Sequence, residues 1–142
     1  MKEIKIQVKE LRENCMIEVR ENGDAIDCIL AEDVELLRGN YAQLSMGIAV
    51  KTEHDYLTLL VPRSSTFRKF GLIQANSVGL IDNSYCGDED ELLMPVYATR
   101  NVTIPAGTRL CQIMALPRYA YAVEKVESLS AVNRGGFGTT GY

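Results

Sequence analysis

The chain has 142 residues, 46% of them hydrophobic and 24% charged, with a net charge of −4. That length suits one domain with a core of its own. The acidic balance argues against non-specific binding to nucleic acid or to an anionic membrane, and no apolar run approaches the roughly 20 residues that span a bilayer. Residues 1–14, "MKEIKIQVKELREN", alternate charged and aliphatic residues and lack a signal-peptide core, so a cytoplasmic protein is expected. In chain order, period-two alternation predicts strands in "EIKIQVKEL" (3–11) and "CMIEVR" (15–20), then a turn at "RENGD" and a strand in "AIDCIL" (25–30). Further strands are expected in "YAQLSMGIAV" (41–50), "DYLTLLVP" (55–62), "SVGLID" (77–82), "ELLMPVYATR" (91–100) and "TRLCQIMALP" (108–117), with "NVTIPAG" as a connection. Only "SSTFRKFG" reads as helical, with Ser64 or Ser65 placed to cap it and Gly71 to end it. Many short strands at regular spacing imply an all-β sandwich, jelly roll or barrel.

The residue inventory limits the chemistry. Cysteines stand at 15, 28, 86 and 111 with no CxxC pair, so zinc is not expected and the thiols should be reduced and mostly buried. His54 is the single histidine, a polar loop residue that leaves little room for a His-based metal site or triad. Four stretches carry polar groups worth weighing. "VPRSSTFRKFG" sets Arg63, Ser64 and Ser65 between a strand and a helix, where they serve either as an anion site or as simple caps. "VGLIDNSYCGDEDE" places Asp82 at a strand end, either as a carboxylate that orients water or as part of a hairpin turn with Asn83, and Tyr85 follows as a flat ring. Asp88 to Glu91 lack calcium-loop spacing and read as a solvated loop. In "PAGTRLCQIMALP", Arg109 and Gln112 are three apart and so belong on opposite strand faces unless a bulge intervenes. The tail "NRGGFGTTGY" has glycine-loop composition but no Walker lysine, and is either a disordered end or a segment that orders over an anionic, aromatic ligand.

Taken in order, PRSS, GLIDxxYxG, GxRxxQ and RGGFGTTG resemble the motif series of the trimeric dUTP pyrophosphatases (dUTPases), over about residues 23 to 142. "GDAIDCILAEDVEL" resembles the family's first motif with Asp27 retained and its neighbours altered, and "GDEDELLMPVYA" is about two residues longer than the common pattern, as in Bacillus and phage members.

The resemblance implies a distorted jelly-roll β domain over residues 1–132 that forms homotrimers. Residues 133–142 would be a flexible lid, and the active sites would lie between subunits. The reaction would be hydrolysis of dUTP to dUMP and pyrophosphate with Mg2+, keeping uracil out of DNA and supplying dUMP for dTMP synthesis. Asp82 would orient the attacking water. Asn76 and the backbone around Leu80, Ile81 and Asp82 would read uracil, and Tyr85 would stack under the deoxyribose. Arg63, Ser64, Ser65 and Gln112 would hold phosphates, and Asp27 would help place Mg2+ through water. From the tail, Arg134 would meet the γ-phosphate, Phe137 would cover uracil, Thr139 and Thr140 would add hydroxyls, and Gly136 and Gly138 would let the backbone approach. Two rival readings are dCTP deaminase on the same fold and a non-catalytic nucleotide-sensing regulator. Neither nucleic acid nor membrane is an expected partner.

Overall fold

The computed structural model describes residues 1–139. Its elements, in chain order, are β1 (Ile6–Glu10), β2 (Ile26–Ile29), β3 (Val34–Leu36), β4 (Tyr41–Thr52), β5 (Tyr56–Pro62), α1 (Thr66–Phe70), β6 (Leu72–Gln74), β7 (Gly79–Ile81), β8 (Glu91–Ala98), β9 (Val102–Ile104) and β10 (Arg109–Pro117). Every pairing is antiparallel. Two four-stranded sheets have the orders β1-β4-β8-β6 and β2-β10-β5-β7, and β3 and β9 form a separate ribbon. The core draws on both sheets: Met46, Ile48, Leu72, Met94 and Val96 from the first and Leu60, Leu110 and Ile113 from the second are all essentially buried. This is the all-β architecture that the strand spacing implied.

The burial of β8 alternates along its length, as a strand with one core face should. That of β4 does not, because Leu44 to Val50 are all buried. The ladder between β4 and β8 slips between Ser45 and Ala49, which is a bulge. The Glu91 carboxylate fills the irregular stretch, accepting from the Ser45 hydroxyl and from the Gly47 N–H at 3.1 Å. Arg12 adds a guanidinium 3.8 Å from the same carboxylate.

Three expectations need correction. Residues 15–20 form no strand: Cys15 is buried and Ile17 packs on the core, but the segment has no ladder partner among the described residues. The short strands β3, β6 and β9 exist although none was expected, and β9 lies within the presumed connection. The stretch after β7 is not a two-stranded hairpin, since β7 pairs with β5 while β8 pairs with β4 and β6. The cysteines are free, with Cys15, Cys28 and Cys111 buried. Cys28 and Cys111 face each other across β2 and β10. The hydrogen bond to Cys28, then burial, push the Cys111 thiol well up, which keeps it protonated and unreactive.

Candidate active site

The sheet β2-β10-β5-β7 and the segments flanking its strands carry the polar residues singled out between Asp27 and Gln112, and the register of the sheet places them in two groups. At one end, Asp27 on β2 lies opposite Gln112 on β10, which lies opposite Val61 on β5. Arg63 follows directly on β5, and its Nε sits 2.8 Å from Asp27 Oδ1. Arg109 reaches the other oxygen, Oδ2, at 3.6 Å. Arg109 and Gln112 were expected on opposite faces, but the ladder of β10 with β2 shifts register between Arg109 and Cys111. The bulge lets Arg109 reach the carboxylate that faces Gln112. Asp27, Arg63 and Gln112 line a hollow of about 370 Å³ together with the loop before β2.

Ser64 and Ser65 lie between β5 and α1. Ser65 is the N-cap residue by position, yet its own backbone is helical and its side chain makes no capping hydrogen bond. The capping role expected of these serines is therefore not performed by Ser65, and Ser64 is exposed. The helix is held instead by Thr66, whose buried hydroxyl donates to the Leu110 carbonyl at 2.6 Å. Gly71 ends it in the left-handed conformation, its N–H bonded to the Phe67 carbonyl, as expected.

The second group lies on and around β7, an edge strand of this sheet. One of its edges pairs with β5, and the other has no strand partner among the described residues. Leu80 is 62% exposed, whereas Ile81 packs against the core. Asp82 comes next and is exposed, and among the described residues its carboxylate has no ion pair or hydrogen bond. Its carbonyl accepts from the Tyr85 N–H at 2.9 Å, closing a turn. Asn83 holds that turn down, its amide nitrogen donating to the Tyr56 carbonyl at 2.9 Å, the Glu53 carbonyl at 3.0 Å and, more weakly, Thr52 Oγ1 at 3.3 Å. Tyr85 leaves its ring partly exposed and donates its hydroxyl to the Glu91 carbonyl at 2.9 Å. Burial, and then the Asp90 and Glu91 carboxylates, push the Tyr85 phenol above the ordinary tyrosine value, so it remains a donor at neutral pH.

The two groups are not adjacent within one chain. Ile81 pairs with Thr58, so Asp82 is level with Leu57, while Arg63 lies beyond the opposite end of β5. Six residues of strand separate them by about 20 Å. Asn76 lies nearer the middle: Gln74 Nε2 donates to Asn76 Oδ1 and to the Leu60 carbonyl, each at 3.0 Å. Gln74 is buried, and its Oε1 has no partner among the described residues. Such an orphan costs roughly 1–3 kcal/mol.

The acidic loop is accounted for by local structure. Asp88 pairs with Lys9 at 3.4 Å, Asp90 accepts from the Gly87 N–H at 2.7 Å, and Glu91 belongs to the bulge. No group of three or more His, Cys, Asp or Glu suited to a metal exists among the described residues. Asp27 is already held by two guanidinium groups, so the residues present do not fit a metal ion held directly by the protein. The tail residues make local contacts: Thr139 donates its N–H and its hydroxyl to the Gly136 carbonyl, and Arg134 Nε donates to the Gly135 carbonyl at 3.4 Å. Phe137 is fully exposed. Thr140, the remaining tail residue singled out, lies outside the described residues. His54 is an exposed loop residue, contacting Asp55 and Arg118. Among the described residues no helix is long and apolar enough to cross a membrane.

A family model described as dUTPase matches residues 12–141. The chain belongs to the dUTPase family. It is 39% identical to the SPbeta prophage-derived deoxyuridine 5'-triphosphate nucleotidohydrolase of Bacillus subtilis, over 97% of this chain and 99% of that protein. It is 34% identical to a deoxyuridine 5'-triphosphate nucleotidohydrolase of Cutibacterium acnes, over 84% of this chain and 80% of that one. Its fold resembles that of a Staphylococcus bacteriophage 80alpha dUTPase solved with dUpNHpp, with TM-score 0.81, 24% identity and coverage of 97% and 99% of the two chains. A dUTPase from phage phi11 of S. aureus, described with a structural Mg(II) ion, superposes with TM-score 0.76 at 22% identity, covering 88% of this chain and 98% of that one. In this dUTPase-family chain, the residues missed by sequence reasoning are those that hold others in place. The sequence marks Asn83 only as a turn former and gives Gln74 no signal. Both act through backbone atoms 14 to 30 residues away, which no local pattern signals.

Proposed function

We propose that the protein hydrolyses dUTP to dUMP and pyrophosphate at sites shared between the subunits of a homotrimer. The placement of Asp82 carries this reading: an exposed carboxylate without a protein partner among the described residues, on a turn anchored by Asn83. Such a group is free to take a proton from water and fixed enough to aim it. In this scheme the water oxygen bonds to the α-phosphorus in line, its proton passes to Asp82, and the bond to the β-phosphate oxygen breaks to release pyrophosphate. Asn76 and the open edge of β7, Leu80 to Asp82, would face the base, and the Tyr85 ring would lie under the deoxyribose. Arg63, Ser64, Ser65 and Gln112 would neutralise and orient the phosphates. From the tail, Arg134 would meet the terminal phosphate and Phe137 would cover the base, with Gly136, Gly138, Thr139 and Thr140 closing residues 133–142 as a lid over the domain of residues 1–132.

The separation of Asp82 from Arg63 by about 20 Å along β5 supports a site built from more than one chain. Asp82 of one subunit would work with the Arg63 and Gln112 end of another. The hollow beside Arg63 is lined by four carboxylates, Glu18, Glu21, Asp24 and Asp27, against two guanidiniums, Arg20 and Arg63. A bare triphosphate entering there meets net repulsion, which a divalent cation arriving with the substrate relieves. Mg2+ would accordingly be held by triphosphate oxygens and water, with Asp27 contributing through water.

Pyrophosphate release from dUTP by the purified protein with Mg2+ tests the reaction. Ammonia release from dCTP without pyrophosphate from dUTP would instead select a deaminase, and background rates on both would select a non-catalytic binder. Light scattering tests the assembly, the expected mass being three times the 15.8 kDa chain.

A further inference from the structure

We infer that Gln74 sets the base specificity of the site by fixing which end of the Asn76 amide faces outward, an inference that rests on the reading of Asn76 as a base contact. A backbone carbonyl can only accept a hydrogen bond. The Leu60 carbonyl takes one from the buried Gln74 amide at 3.0 Å, which assigns that side of the amide as nitrogen. The same nitrogen donates to Asn76 Oδ1 at 3.0 Å. Asn76 therefore turns its oxygen inward and its Nδ2 donors outward, and among the described residues those donors have no acceptor. Reversing Gln74 would set its oxygen against the Leu60 carbonyl, and reversing Asn76 would set two amino groups against each other. The polarity of the whole relay is thus dictated by one main-chain oxygen.

Two neighbouring facts agree with this role. A Cβ at Gly79 would press on the Leu60 carbonyl oxygen at 3.2 Å, so glycine there leaves undisturbed the acceptor that orients Gln74. The far end of Gln74, Oε1, is buried without a partner among the described residues. A leucine would fill a similar volume without that orphan, so the amide is not explained by its own satisfaction. What it supplies is direction. Uracil presents a carbonyl acceptor at position 4, where cytosine presents an amino donor. An outward N–H donor at Asn76 pairs with the first and meets the second donor to donor. Gln74 is thus a positioning residue that selects a 4-oxo pyrimidine nucleotide through Asn76.

The test is kcat/KM for dUTP and for dCTP with the wild-type protein, Gln74→Leu, Asn76→Ala and the double variant, each first checked for a cooperative unfolding transition. Gln74→Leu is expected to lower the dUTP to dCTP ratio by about tenfold or more. It should have no further effect when Asn76 is already alanine. If leucine at 74 prevents folding, Gln74→Met, unbranched and more adaptable, serves in the same cycle with the same expectation. A folded Gln74 variant with an unchanged ratio, or one whose ratio falls equally in the Asn76→Ala background, overturns the relay while leaving Asn76 as a base contact. An unchanged ratio in Asn76→Ala overturns the base-contact reading and the relay together. Absence of dUTP hydrolysis by the wild-type protein overturns the proposed function itself.

Discussion

The turn from Asp82 to Tyr85 and the tail from Arg134 to Thr139 are both exposed and polar, yet they are held in opposite ways. The turn is tied to distant parts of the chain: Asn83 reaches the β4–β5 connection, and Tyr85 reaches Glu91, whose side chain is itself locked into the β4 bulge. Among the described residues the tail closes only on itself, with Thr139 bonded to Gly136 and Arg134 to its neighbour. Ordering each tail residue against a ligand costs about 1–2 kcal/mol of backbone entropy, whereas the turn has already met that cost in folding. On the proposed reading, the groups that would aim a water or match a base are held in advance, and the groups that would enclose a substrate would order when it binds.

Substitutions on each side can break this contrast. The largest effect is expected for Asp82→Asn, which keeps the turn but removes the proton acceptor. Turnover should fall about a thousandfold while affinity for a non-hydrolysable dUTP analogue is retained, measured by steady-state kinetics and calorimetry. Weakened binding with turnover intact would reverse the assignment. Truncation after Val132 should lower turnover roughly a hundredfold and leave the unfolding midpoint unchanged, since no described residue of the tail belongs to the core. Full activity in the truncated protein would remove the lid. Asn83→Ala frees the turn without touching substrate: a loss of about 1–3 kcal/mol of stability and about tenfold in kcat is expected, with KM little altered. An effect on KM alone would mean that the turn serves binding and not the water. The smallest change is expected for Tyr85→Phe, which keeps the ring and removes one hydrogen bond. It should cost about 1 kcal/mol and raise KM only a few-fold.

How much of this was legible beforehand depends on how each feature is encoded. Strands with one buried face, such as β8, carry their alternation openly. Residues 15–20 show the same alternation and are not a strand, because alternation reports a sidedness and not a ladder partner. The three-residue strands β3, β6 and β9 are shorter than any period a pattern needs. The candidate residues can be named from an ordered set of motifs, but their spatial division cannot. That division follows from the pairing of Ile81 with Thr58, and register emerges only when the sheet is assembled. The bulge that brings Arg109 to Asp27 is invisible for the same reason, since strict alternation predicts the opposite face.

The seven residues of β5 also bear on how defective copies behave in company. If the sites are shared between subunits as proposed, a chain altered at Arg63 and a chain altered at Asp82 would each be silent alone, for each would spoil every site in its own assembly. Refolded together, they would form mixed rings in which some sites draw an intact Arg63 from one parent and an intact Asp82 from the other. Activity would then return from two inactive proteins, and the recovered fraction would count how many chains contribute to each site.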